Sequence, residues 1–179
     1  MKQPGQWERA ALWDYARRAL VAVASGGDLP PLPELPVLGW EYGCVVRLLG
    51  EFGEEVAAAG SEASERSFGE QLSDCIAALA AAADPDELDF LHLEITLVAP
   101  PRRIADPSEI RCGIDGVLLE WGEHAAALLP QLASEWHWDV PELLTVLVRK
   151  AGLAELPPTA RLSVFEVAVL AENSRSQDR

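Results

Sequence analysis

The sequence is poor in basic residues, histidine and cysteine, and each shortage excludes something. Fourteen Lys and Arg stand against 29 Asp and Glu, a formal net charge of −15. Such a field repels phosphate backbones and anionic lipid surfaces, so nucleic-acid and membrane partners are not expected. Three cysteines, Cys44, Cys75 and Cys112, are too few and too widely spaced for a disulfide framework or a zinc motif. Reduced thiols and no bound metal follow as expectations. The longest apolar run, Cys75–Ala83, falls well short of the roughly 18 residues that would span a bilayer. Met1–Arg9 has no apolar stretch of leader type, which makes a cytoplasmic protein the expectation. Phosphate-cradling glycine loops, nucleophile elbows and dinucleotide fingerprints are absent, and no cofactor is expected. The acidic run Asp84, Asp86, Glu87, Asp89 has neither the residue order nor the glycine of a calcium loop and reads as a solvated turn.

What is present is a globular composition: 179 residues, 49% apolar and 24% charged, enough for one domain or a compact two-lobed one. Leu12, Tyr15, Ala16, Ala19, Leu20 and Val23 recur at three- and four-residue spacing, which predicts a helix over 7–23 that ends at Ser25-Gly26-Gly27. Four prolines in 28–36 make the next stretch an extended connector. The β-branched segment 44–49, the turn chemistry of 50–54 and the segment 55–59 predict a hairpin. Leu72, Cys75, Ile76, Leu79 and Ala80 predict a second helix over 69–83, closed at Asp84-Pro85.

Residues 92–99 alternate, with Leu93, Ile95 and Leu97 on one face and His92, Glu94 and Thr96 on the other, until Pro100-Pro101 stops the strand. Residues 113–121, a Gly122-Glu123 turn and 124–129 predict a second hairpin ended by Pro130. Asp139 with Glu142 makes a capping box before the apolar stripe Val140, Leu143, Leu144, Leu147, Val148, Ala151. A last strand is predicted over 162–170, followed by a loose polar end.

Several short segments, in one order, carry a resemblance. These are Leu91-His92-Leu93-Glu94-Ile95-Thr96-Leu97, Gly113-Ile114-Asp115-Gly116, Leu128-Leu129-Pro130-Gln131, Trp138-Asp139 and Lys150-Ala151-Gly152. Together they are similar to the AMMECR family, over roughly residues 7–172 and most strongly from Leu88 onward. The resemblance implies an α+β fold of AMMECR type: a two-lobed single domain over 1–172, a mixed or antiparallel sheet with flanking helices, and a flexible tail at 173–179. It also implies an accessory protein of a modification system shared with Memo-type and radical SAM proteins.

The family's hallmark is a Leu-Arg-Gly-Cys-Ile-Gly-Ser strand and turn ahead of a helix. Aligned on its Gly-Ser, the hallmark falls on residues 55–61, so Val56 stands at the arginine position, Ala58 at the cysteine position, and only Gly60 and Ser61 remain. A second placement, on Gly43-Cys44-Val45, loses the Gly-Ser pair. The Arg-Phe-Pro-Pro-Leu segment that follows Asp-Pro in the family is missing after Asp84-Pro85.

The candidate chemistry is correspondingly thin. His92 and Glu94, at i and i+2 on one strand face, could act as acid and base or as two metal ligands, and both match the family pattern. Further ligands would have to come from Asp115, Glu120 or His124 in another hairpin, and the ordinary reading of the pair is structural. Cys44 and Cys75 lie in apolar periodic segments and read as core. Cys112 is a weak nucleophile candidate whose one activating neighbour is Arg111. Trp136 and Trp138 read as a staple beneath the following helix, with His137 pointing outward. The leading expectation is a non-catalytic binder that uses a cleft at Gly60, Ser61, His92 and Glu94 for a partner protein or small ligand. The alternatives are an enzyme with His92/Glu94 acid–base chemistry and Cys44 or Cys112 as a displaced nucleophile, or a structural oligomer subunit.

Overall fold

The chain, as a computed structural model, is described over residues 1–61 and 66–171; the tail expected at 173–179 lies outside these. It divides into two compact units, one of residues 2–98 with 168 onward, the other of residues 99–167 with Met1.

In the first unit, α1 (Gln6–Ala24) buries Leu12, Tyr15, Ala16, Ala19 and Leu20, the stripe its spacing predicts. Buried Glu8 occupies its first turn and accepts the Gly5 N–H at 2.8 Å and the Val37 N–H at 3.3 Å. One carboxylate thus satisfies a helix-end donor and ties down the proline-rich connector. Strands β1 (Gly43–Leu49) and β2 (Glu55–Ser61) form the expected hairpin, and β2 leads towards α2 (Phe68–Ala82). Ser67 and Glu70 close α2 with reciprocal capping bonds. α2 packs on α1, β1 and β2.

Strand β3 (His92–Val98) pairs antiparallel with β1. Every side chain from Leu93 to Val98 is buried, so the polar face read from the alternation is not a solvent face at Glu94 or Thr96. Both faces of this strand are covered, Glu94 and Thr96 included.

The second unit holds β4 (Arg102–Ile104), β5 (Gly116–Trp121), β6 (His124–Leu128) and β7 (Arg161–Phe165) in the order β4-β7-β5-β6, with described pairings all antiparallel. Gly122, at φ 59°, takes the first central position of the two-residue turn between β5 and β6, as a type II′ hairpin requires. Two helices, α3 (Pro130–Glu135) and α4 (Val140–Lys150), belong to this unit. Its core includes Val117, Leu119, Leu128, Leu143, Leu147, Leu162 and Val164. The capping box is formed as read: Asp139 Oδ1 accepts the Glu142 N–H at 2.9 Å and Glu142 Oε2 accepts the Asp139 N–H at 3.0 Å.

The α+β class stands, the proline stops at Pro100-Pro101 and Pro130 hold, and two local expectations are corrected: the single last strand and the paired tryptophan staple. The run expected as one strand over 162–170 is two: it breaks at Glu166, and β8 (Val167–Ala171) joins the other sheet, in the order β2-β1-β3-β8. The Glu166 carbonyl turns to accept the Ala99 N–H at 2.9 Å. Pro100-Pro101 ends β3 but leads into β4. Pro130 ends β6 by starting α3, a position where its missing N–H costs nothing. Trp138 packs against the core beside Val140 and Leu144 as a staple should, whereas Trp136 is 67% exposed. The two tryptophans diverge because His137 between them takes φ 55°.

Candidate functional site

Strand register sorts the candidate residues of the first unit. Ala58, Arg47 and Glu94 form one row across β2, β1 and β3. Val45 lies between Gly60 and Thr96, and Leu49 is opposite His92. At about 3.4 Å per residue, Gly60 and His92 are offset along β1 by about 14 Å. Gly60 and Ser61 are therefore at one end of the sheet and His92 at the other, and the single cleft expected around Gly60, Ser61, His92 and Glu94 is not formed.

Glu94 is committed to Arg47. Nε and Nη2 of Arg47 both donate to Glu94 Oε1, at 2.9 and 2.7 Å, and the two side chains are only about a tenth exposed. Glu55 lies 3.6 Å from the same guanidinium. A buried, hydrogen-bonded ion pair across two strands holds the sheet in register, and it engages the carboxylate that an acid–base role would require. Arg47 escaped the sequence reading because it sits in an apolar run, and only register shows what it faces.

The hallmark strand shows its substituted positions to solvent: Val56 is 55% exposed and Ala58 is exposed. The placement of the hallmark on residues 55–61 fits the topology, since β2 is the strand ahead of α2, whereas Gly43-Cys44-Val45 lies in β1 and is followed by another strand. Gly60 has φ 138°, and a Cβ there would lie 2.1 Å from the Cys44 carbonyl oxygen and 2.7 Å from Val45 Cα. Its retention has a steric cause. On its other side β2 borders a groove of about 320 Å³ lined by Gly60, Ser61, Arg66, Asp74, Cys44 and Cys75. Arg66 Nη1 donates to Asp74 at 2.6 Å at this rim.

Cys112 belongs to the other unit. Burial, with a smaller contribution from the Asp139 charge, pushes its thiol up. Arg111, the neighbour that could have activated it, instead donates to Asp115 from Nε (2.9 Å), Nη2 (2.6 Å) and its backbone N–H (3.0 Å). A raised thiol without a cation is a poor nucleophile at neutral pH. Of the other residues weighed as metal ligands, Glu120 lies 3.9 Å from Arg161 and His124 Nδ1 donates to the Ala151 carbonyl at 3.0 Å.

Burial works to raise the Asp115 carboxyl, but the Arg111 hydrogen bonds and charge outweigh it and hold the carboxyl below its ordinary range. A depressed folded-state pKa contributes stability above the unfolded value, about 3.9, and loses it as pH falls through the lower folded value. Chemical denaturation of wild type between pH 5 and pH 2 is therefore expected to show an acid loss that Asp115→Asn flattens. Parallel pH profiles of the two proteins would contradict the assignment.

A family model described as AMMECR1 matches residues 13–170. The chain belongs to the AMMECR1 family. Among relatives, a protein of Methanocella arvoryzae is 38% identical over 102 residues, covering 50% of this chain and 51% of the relative. A protein of Methanothermobacter thermautotrophicus is 38% identical over 98 residues, again 50% of this chain and 51% of the relative. The match thus spans about half the length of these relatives. The crystal structure of the uncharacterised protein PH0010 from Pyrococcus horikoshii is similar over nearly the whole fold: TM-score 0.83, 26% identity, 94% of this chain and 93% of that one. The fold of that protein is thus shared over nearly the whole of this chain.

Proposed function

We propose that this AMMECR1-family chain is a non-catalytic binding or accessory protein. It would recognise a partner protein through the exposed strand β2, within a modification system that includes Memo-type and radical SAM proteins. The observation that carries this reading is the combination of a retained scaffold with Val56 and Ala58 exposed where the family motif has arginine and cysteine. The valine and alanine side chains themselves offer contact area and no proton donor, acceptor or nucleophile.

The enzyme reading loses its parts one by one. Glu94 is held by Arg47, His92 lies at the far end of the sheet from Gly60, and the Cys112 thiol is pushed up.

The test is isothermal titration of the purified chain into purified Memo-type and radical SAM proteins from the same host. Binding to at least one is expected, weakened tenfold or more, about 1.4 kcal/mol, by Ala58→Arg; the new arginine lies opposite Arg47 on β1 and lowers thermal stability somewhat, so the titration is run well below the variant's Tm. No binding to either protein, or binding indifferent to Ala58→Arg, would falsify this reading.

A further inference from the structure

Two of the three cysteines, expected to be inert core, meet. Cys44 lies on β1 opposite Ser61, and Cys75 lies mid-way along α2. The Cys75 thiol points back at β1 and donates to the Cys44 carbonyl oxygen at 3.8 Å. Both residues line the groove that also contains Gly60, Ser61, Arg66 and Asp74, so the pair is buried but borders a solvent-connected space.

We propose that Cys44 and Cys75 form a dithiol redox site that exchanges with low-molecular-weight disulfides of the glutathione class, entering by the groove at Gly60 and Ser61.

The two thiols take different parts because Cys75 keeps a little exposure, 4%, and Cys44 has none, so an incoming disulfide reaches Cys75 first. Burial, reinforced by its interaction with Cys75, pushes the Cys44 thiol well up, while the hydrogen bond from Cys44 draws the Cys75 thiol down. Cys75 is the attacking sulfur: its thiolate displaces one glutathione thiolate and forms a mixed disulfide. Cys44 then gives up its proton and attacks the Cys75 sulfur, expelling the second glutathione. In sum, two protein thiols lose two hydrogens and two electrons to one disulfide, which leaves as two thiols. The product links the start of β1 to α2 beside Gly60-Ser61.

This site is independent of the partner-binding reading and can stand without it. The fully exposed faces are not involved, and Cys112, buried differently in the other unit, serves as an internal control.

The experiment uses the native full chain incubated with oxidised glutathione, acid-quenched, alkylated with iodoacetamide and measured as intact and digested masses. The expected result is loss of two of the three alkylatable thiols, a mass lighter by two hydrogens, and a linked peptide pair containing Cys44 and Cys75. In the Cys44→Ser variant glutathione is expected to remain trapped on Cys75, and in Cys75→Ser the Cys44 thiol is expected to stay unmodified. Because the decisive mapping is made on wild type, poor folding of a variant does not remove the test. Three free thiols after incubation, modification confined to Cys112, or a link formed only after denaturation each overturn the proposal.

Discussion

Glu94→Ala is expected to destabilise the chain by about 3 kcal/mol, towards the lower end of what removing one partner of a buried ion pair costs. The reason is what it removes: Arg47, about a tenth exposed, would lose the carboxylate oxygen that accepts two of its N–H groups, while Glu55 at 3.6 Å is itself half exposed. A desolvated guanidinium without its carboxylate is worse than no charge at all. The double replacement Arg47→Met/Glu94→Leu is accordingly expected to recover most of the loss, finishing within about 1 kcal/mol of wild type. Urea titration of wild type, both singles and the double decides it. If the double is as unstable as the sum of the singles, the pair is not the coupled unit described here.

Gly60→Ala is expected to cost about 3 kcal/mol or more, or to prevent accumulation of folded protein. Two penalties combine: an L-residue strained at φ 138°, and a Cβ placed 2.1 Å from the Cys44 carbonyl, a backbone atom that no rotamer change can move aside. Gly39→Ala is the control, since a Cβ there meets nothing within 4 Å, and its effect should stay within about 0.5 kcal/mol. Thermal unfolding of the two variants separates a steric requirement from a chemical one. Near-wild-type stability for Gly60→Ala would remove the steric explanation for why this residue of the hallmark is kept while the arginine and cysteine positions are not.

These two residues also show how much of the site could be read from the chain. Gly60, Ser61, His92 and Glu94 could all be nominated from short motifs, because a motif is a local pattern. Their grouping could not. Which residue of β1 faces which residue of β3 is decided by register between positions 43 to 55 residues apart, from Leu49↔His92 to Gly43↔Val98, and the local alternation is the same in any register. Arg47 shows the same limit: in sequence it is a charge in an apolar strand, and only the row Ala58–Arg47–Glu94 gives it a purpose.

By itself the sequence determined the helices α1, α2 and α4, since a 3.6-residue apolar stripe and the capping pair Asp139/Glu142 act within a few residues of the chain. It determined both hairpins for the same reason, their turns being chemically specified, and it carried the family resemblance. Only the tertiary structure decided that the run 162–170 divides at Glu166 between two sheets, because both strands bury apolar faces and nothing local names their partners. It alone separated Gly60 from His92, closed Arg47 on Glu94, and brought Cys75 of a helix against Cys44 of a strand 31 residues earlier. Contacts of that separation follow from how layers pack, and no window of sequence contains both sides of them.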